Sequence, residues 1–364
     1  MQQKPALKIC IVSPSLKLGG IERALSVLAN YFAQQGHTVY FISCLNAGRF
    51  YQLHENITII EPRFKRTAAV VNKFLFYPRL LFFIRKKVRA IAPDVVLSFG
   101  DNFNPLVLFA LKGTGLPVFI SDRTSPDFPF AKAVKWGKQW LYPSSAGFIA
   151  QTKRAYEFKK KQFGNRLNMQ IIPNALKKIN TEAAAPQKII LCVARLSIEK
   201  GPDRLLQAFA KMNNRQGWRL VFAGAGPMKL QLMQSAGQLG VAEQTDFLGE
   251  VLQVDALFNI ASIFVLPSRL EGFPNALCEA MAAGLPVICF DSIPYEEIVT
   301  HHVSGLVVPE GDIDKMAEAL QLLVDDDALR NNLAHQAKKI AQRLSVDTIG
   351  QQYLTFLQSG IKSH

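Results

Sequence analysis

The chain has 364 residues, which suits two domains of ordinary size rather than one. It is 49% hydrophobic and only 19% charged, which excludes a disordered chain and allows large cores. The net charge of +14 points to an anionic partner, but its division argues against a uniformly basic nucleic-acid binder: residues 1–180 carry 27 Lys+Arg against 8 Asp+Glu, a net of +19, and residues 181–364 carry 15 against 20, a net of −5.

Strand-length apolar runs alternate with helix-period segments along the chain. Residues 7–13 predict a buried strand, a loop with Gly19 and Gly20 follows, 21–35 is amphipathic, and 38–43 is a second strand; together they make a βαβ unit. Further strands are predicted at 94–99, 117–121, 147–150 and 169–173. Residues 177–187 read as a linker, after which the pattern restarts with strands at 188–194, 219–223, 262–267 and 286–290 and a helix at 202–212. Residues from about 314 to 360 are helical and polar on one face. The result is two successive doubly wound α/β units.

The five cysteines form no CxxC pair and no Cys/His metal spacing, and they sit in apolar runs, so buried thiols in a reducing compartment are expected. Residues 1–8 are polar, with Lys4 and Lys8, and give no signal-peptide pattern; no apolar run of about 18 residues is present to span a bilayer. Gly224-x-Gly226 alone is a weak dinucleotide fingerprint, because Lys229 stands where a third glycine would fall. Asp325-Asp326-Asp327 reads as a solvated acidic turn, and His301-His302 as a surface loop.

The chemistry concentrates in residues 267–287. Glu271 follows a predicted strand, Gly272-Phe273-Pro274 leads into a helix, and Glu279 lies in its early turns. Ligands of α/β sheets bind outside the carboxyl ends of the strands, where this loop falls. The N–H groups of Asn275, Ala276 and Leu277 would open a helix and suit a phosphate. Two carboxylates beside it can accept hydrogen bonds from the hydroxyls of a sugar or ribose. Taken alone, a glutamate at a helix start is more often an N-terminal capping charge, and an isolated Arg or Lys is more often solvated.

Ser-x-x-Glu-Gly-Phe-Pro-x-x-Leu-x-Glu-Ala-x-Ala-x-Gly-x-Pro-Val, running from Ser268 through Glu271 and Glu279 to Val287, resembles the signature of retaining family 4 glycosyltransferases with the GT-B fold. The resemblance extends over nearly the whole chain. Lys17-Leu18-Gly19-Gly20-Ile21-Glu22-Arg23 is similar to that family's N-terminal glycine loop, and Ile172-Pro173-Asn174 to its inter-domain junction. Val193-Ala194-Arg195-Leu196 with Glu199-Lys200-Gly201 resembles its donor-phosphate motif, and Phe222 to Pro227 its nucleotide-base loop. The fold implied is two Rossmann-like domains with a cleft between them, at 1–177 and 178–345, with a helix at 346–364 packing back on the N-terminal domain.

The roles implied are these. Arg195 and Lys200 hold the donor diphosphate and stabilise its leaving charge, the work a metal does elsewhere, so no metal cofactor is expected. Gly19 and Gly20 let backbone approach the donor phosphate. Gly224 and Gly226 form the base loop. Glu279 binds the ribose and Glu271 the transferred sugar, with Asn275, Ala276 and Leu277 beside the phosphate or sugar. Many relatives carry a histidine after the strand at 117–121; here the residues are Ser121-Asp122-Arg123-Thr124, so Asp122 or Arg123 is placed on the sugar or acceptor side, with a loop-capping pair as the equal alternative.

Three basic clusters charge the N-terminal half. Arg63, Lys65, Arg66 and Lys73 lead into the aromatic, basic segment 74–89; Lys132, Lys135 and Lys138 interleave with Trp136 and Trp140; Lys153, Arg154, Lys159, Lys160 and Lys161 surround Tyr156 and Phe158. Basic residues mixed with aromatics on a helical face suit an anionic membrane or a lipid-linked diphosphate, although segment 74–84 reads equally well as a core helix. The expected protein is a glycosyltransferase moving a hexose or N-acetylhexosamine from a UDP-sugar to a saccharide or lipid-linked acceptor in surface glycan biosynthesis. Its place is cytoplasmic, peripheral on the inner membrane, with no nucleic-acid partner. A nucleotide-sugar epimerase or phosphorylase of the same fold, and a non-catalytic membrane- or polyanion-binding protein, are the alternatives.

Overall fold

A computed structural model describes residues 5–17, 19–45, 48–64, 70–180 and 185–361, with side chains left out for 70–74. Leu18 of the glycine loop, Lys4, Lys65, Arg66, His364, residues 181–184 of the expected linker and the side chains of Lys73 and Phe74 lie outside the described residues.

Two compact units are present. The first comprises Met1–Ala175 with Val346–His364, and the second Leu176–Ser345. The boundary falls two residues before the expected one because the Leu176 N–H donates to the Leu344 carbonyl at 2.8 Å, inside the second unit.

In the first unit the chain runs β1 (Lys8–Ser13), α1 (Gly20–Gln34), β2 (Thr38–Ser43), β3 (Thr58–Ile60), α2 (Val70–Ile91), β4 (Val95–Phe99), α3 (Asn104–Leu111), β5 (Val118–Ser121), α4 (Lys132–Leu141), β6 (Gly147–Ala150), α5 (Lys153–Phe163) and β7 (Met169–Ile171). The strands form one parallel sheet in the order β3-β2-β1-β4-β5-β6-β7. Helices cover both faces, so the central strands are buried on both sides, which is why they read as unbroken apolar runs. Right-handed crossovers put α2 to α5 on one face and α1 on the other. On the first face Cys10, Val12, Phe76, Leu80, Ile84, Val88, Val107 and Phe148 share one core. Phe76, Leu80, Ile84 and Val88 recur every four residues, so α2 has the buried stripe of a core helix despite Pro78 within it.

The second unit runs β8 (Ile189–Val193), α6 (Pro202–Lys211), β9 (Arg219–Ala223), α7 (Lys229–Gln238), β10 (Thr245–Gly249), α8 (Val254–Ile260), β11 (Ile263–Leu266), α9 (Asn275–Ala283), β12 (Val287–Phe290), β13 (Leu306–Val308), α10 (Ile313–Asp325), α11 (Asp327–Ala337) and α12 (Ile340–Arg343). Its parallel sheet has the order β10-β9-β8-β11-β12-β13. The acidic turn is a helix boundary: Asp326 accepts the Leu329 N–H at 2.8 Å and caps α11.

The last helix, α13 (Val346–Ser359), belongs to the first unit. It buries Ile349, Tyr353, Leu354, Phe356 and Leu357. It packs against α1, where Gly350 leaves room for the Tyr31 ring, and Phe356 meets Phe119 edge to face at 5.1 Å. All five cysteines are free and buried, and burial pushes the Cys10 and Cys192 thiols up to about 12.

Candidate active site

In each sheet the strand order reverses direction once, between β1 and β4 in the first unit and between β8 and β11 in the second. Such a switch point opens a crevice outside the carboxyl ends of the two strands, because the following loops diverge. Of the predicted residues of the second unit, Arg195, Lys200 and Glu271 fall on the two loops that leave this crevice, 194–201 after β8 and 267–274 after β11; Asn275, Ala276, Leu277 and Glu279 follow on α9, and Gly224 and Gly226 on the loop after β9.

Backbone bonds hold the two loops together. The Glu199 carbonyl accepts the N–H groups of Arg269 at 2.9 Å and Leu270 at 3.2 Å. Arg269 donates to the Ile198 carbonyl at 2.8 Å and makes a two-pronged ion pair with Asp203, at 2.8 and 2.6 Å. Across this joint Lys200 Nζ lies 2.7 Å from Glu271 Oε1. Ser268, whose side chain is buried, donates its hydroxyl to the same oxygen at 2.8 Å. Arg195 is exposed and pairs with Glu199 at 2.5 Å. Burial works to raise the Glu199 carboxyl, but hydrogen bonds from its own backbone N–H, Ser197 and Arg195 outweigh it and hold it below the usual carboxylate range.

Asn275, Ala276 and Leu277 are the first three residues of α9, and Pro274 before them supplies no side-chain cap. The first N–H groups of a helix have no partner within it, so this end suits an anion. Glu279 follows one turn later on the same helix and is buried.

Gly224 and Gly226 have a backbone reason to be glycine. A Cβ on Gly224 (φ +153°) would stand 2.0 Å from the Ala194 carbonyl oxygen, and one on Gly226 would stand 2.2 Å from that of Leu196. The loop after β9 therefore lies directly on the loop that carries Arg195, and the Leu196 N–H donates to the Ala225 carbonyl at 3.0 Å. In the first unit, Gly19 is extended backbone before α1 and Gly20 opens the helix; a Cβ on Gly20 would meet nothing within 4 Å. The Tyr51 hydroxyl donates to the Gly19 carbonyl at 3.0 Å and Ser15 donates to Glu22 at 2.7 Å, which fixes the loop.

Asp122 and Arg123 do not form the capping pair that the sequence allowed. Asp122 is buried between Lys159 at 2.7 Å and Lys138 at 3.1 Å, and accepts the Tyr142 hydroxyl at 2.5 Å. Burial alone would raise its carboxyl, but Lys159, then Lys138, and the hydrogen bonds hold it down at about 2. Arg123 stacks its guanidinium 3.4 Å above the Phe99 ring and donates to Asn174 and, at 2.9 Å, to the Tyr353 hydroxyl. The residue that caps this loop is Asp101, which accepts the N–H groups of Arg123 and Thr124 at 2.9 and 3.0 Å and pairs with Lys138 at 2.7 Å. Burial and then the neighbouring Asp122 charge raise the Asp101 carboxyl.

Lys138 and Lys159 thus leave the list of basic residues available to a membrane, because both are buried counterions of the two aspartates. Reading from the sequence missed Asp101, although a carboxylate two residues past the apolar run of β4 was a signal. A groove of about 740 Å³ between the end of α6 and the length of α10, lined by Lys211, Asp314, Gln321 and Asp325, contains none of these residues. Among the described residues no group of three or more His, Cys, Asp or Glu side chains is placed to hold a metal, and no helix is long and apolar enough to cross a membrane.

The matching families make the chain a glycosyltransferase. The model of Glycosyltransferase Family 4 matches residues 18–177 and that of Glycosyl transferases group 1 matches 175–340. The chain belongs to this glycosyltransferase family and has its GT-B fold. Over 96% of its length it is 25% identical to the Campylobacter jejuni GalNAc-alpha-(1->4)-GalNAc-alpha-(1->3)-diNAcBac-PP-undecaprenol alpha-1,4-N-acetyl-D-galactosaminyltransferase, covering 98% of that protein. It is 26% identical to the N-acetylgalactosamine-N,N'-diacetylbacillosaminyl-diphospho-undecaprenol 4-alpha-N-acetylgalactosaminyltransferase of the same organism, covering 96% of this chain and 99% of that one. Among solved structures, Anabaena HepE in complex with UDP is similar with a TM-score of 0.78 and 19% identity, over 97% of this chain and all of that one.

Proposed function

We propose that this chain is a retaining, metal-independent glycosyltransferase that moves a hexose or N-acetylhexosamine from a UDP-sugar to a lipid-linked saccharide, in surface glycan assembly on the cytoplasmic face of the inner membrane. The observation that carries the donor half is the Lys200–Glu271 pair, held at the switch point of the second sheet. The neighbouring Arg195 and the start of α9, where Pro274 supplies no side-chain cap, add to it. Two cations and a helix N-terminus suit a diphosphate, and carboxylates suit ribose and sugar hydroxyls. The UDP bound to HepE supports uridine as the base, and the undecaprenol-linked substrates named for the Campylobacter relatives support the acceptor class.

Arg195 and Lys200 stabilise the charge on the departing diphosphate, the largest electrostatic demand of the transfer. Glu271 orients the sugar and Glu279 holds the ribose. The acceptor hydroxyl attacks from the leaving-group face and gives its proton to the departing diphosphate, which retains the anomeric configuration. Since fixed cations do this work, chelation of divalent metals leaves the rate unchanged.

A thermal-shift screen of nucleotide sugars, followed by transfer assays with and without a chelator and by assignment of the product anomer, tests the proposal. UDP-sugars should raise the melting temperature above other nucleotides. No stabilisation by any UDP compound, loss of activity on chelation, or an inverted anomer would each overturn the part concerned.

A further inference from the structure

We infer that the face of the first unit formed by α2, α3 and α4 docks on an anionic lipid bilayer, with Trp136 and Trp140 entering the headgroup layer. This rests on the reading of a lipid-linked acceptor and names the surface that would meet the lipid. The three helices lie side by side on one face of the sheet: α3 packs against both α2 and α4, and Arg85 of α2 donates to the Ala110 and Lys112 carbonyls at the end of α3 at 2.9 and 2.8 Å.

The outer side of this layer is aromatic. Phe82 is 68% exposed, Phe109 57%, Trp136 66% and Trp140 69%. The two tryptophans stand one turn apart with ring centroids 5.6 Å from each other. Soluble proteins rarely leave such side chains together in water, and a cluster of this kind marks an interaction surface. Tryptophan in particular is favoured where one end is apolar and the other wet, as at a membrane interface.

The charge around the aromatics selects the partner. The sequences of α2, α3 and α4 contain no aspartate or glutamate. Arg79, Lys86, Lys87, Lys132 and Lys135 are exposed on them. An all-cationic rim around aromatic anchors complements an anionic bilayer, and repels a second copy of the same face. The orientation of α4 is fixed from within: Lys138, two residues after Trp136 and two before Trp140, is buried and paired with Asp101 and Asp122. The helix cannot roll to hide its tryptophans without breaking those pairs.

Co-sedimentation of the full chain with phosphatidylglycerol-containing vesicles and with pure phosphatidylcholine vesicles, in the absence of donor and acceptor, tests this. Binding to the anionic vesicles alone is expected, weakened by salt and accompanied by a blue shift of tryptophan emission. Two of the three tryptophans lie on this face, and Trp218 is buried. Trp136→Ser/Trp140→Ser should lose at least about tenfold in vesicle affinity, and Lys132→Gln/Lys135→Gln should bind more weakly with a reduced salt dependence, with transfer to a soluble acceptor analogue unchanged in both. Binding equal on neutral vesicles, wild-type binding by the tryptophan variant, or a dimer that the tryptophan substitutions dissolve would overturn the inference. Vesicle binding without transfer would instead count against the proposed reaction, and transfer without vesicle binding against this surface alone.

Discussion

Lys200 Nζ and Glu271 Oε1 are 2.7 Å apart, joined across two loops that leave adjacent strands. The cation proposed for the diphosphate and the carboxylate proposed for the sugar are therefore one ion pair before any donor arrives. Ser268 holds the second partner in place. Bound diphosphate would share the Lys200 ammonium with Glu271. Lys200→Met should lower kcat about a hundred- to a thousandfold, the usual loss for a donor aimed at developing charge. Steady-state kinetics with a UDP-sugar checks this, and an undiminished kcat would remove Lys200 from the mechanism.

Glu279 is buried on the first turns of α9, beside the helix start proposed for the donor. If it accepts from ribose hydroxyls, Glu279→Ala should weaken UDP binding by about tenfold to a hundredfold, the worth of a charged hydrogen bond. Calorimetry with UDP and with an analogue lacking the ribose hydroxyls separates this from a general loosening of the site. The variant should bind both equally, whereas the wild type should prefer UDP.

Much of this arrangement was readable along the chain because it is local. Glu271, Asn275 and Glu279 sit on one loop-helix segment, and the central strands are continuous apolar runs because both faces of each parallel sheet are covered. What escaped is non-local or short. The edge strands β3 and β13 have three residues each, and β10 mixes Thr245 and Asp246 with its apolar positions. Lys138 and Lys159 read as surface charge because that is the usual fate of lysine, and their partners Asp101 and Asp122 are brought to them only by the fold. Gly224 and Gly226 were read as a ligand loop, and the structure adds the close backbone approach that requires them.

That approach predicts a contrast between two glycines of the second unit. In Gly226→Ala the new methyl would collide with the Leu196 carbonyl, which also accepts the Met228 N–H at 3.0 Å. The substitution should cost about 1–3 kcal/mol, as overpacking does, and displace the Arg195 loop. Gly237→Ala, within α7 and with nothing inside 4 Å, should stabilise the fold by up to about 1 kcal/mol. Urea midpoints test both, and a fall in UDP affinity confined to Gly226→Ala would tie the strain to the donor loop.

Asp122 couples three elements of the first unit, since it follows β5 and pairs with Lys138 of α4 and Lys159 of α5. Asp122→Asn takes the carboxylate from the buried Lys159 ammonium, while Lys138 keeps Asp101, and should cost about 3–5 kcal/mol at neutral pH, the penalty for breaking a buried pair from one side. The acid limb gives a second signature. Burial opposes the charge, but the two lysines outweigh it, so the carboxyl falls from 3.8 to about 2 on folding. A depressed carboxyl contributes stability that is complete above the unfolded value and is lost as pH drops through the folded one. Asp101 works in the opposite sense: raised by burial and by Asp122, it favours the folded state more once protonated. The wild type should therefore lose stability between pH 3.8 and about 2 more steeply than Asp122→Asn does. Denaturation midpoints across that window measure the difference, and parallel acid limbs would show that Asp122 is not the charge the two lysines hold.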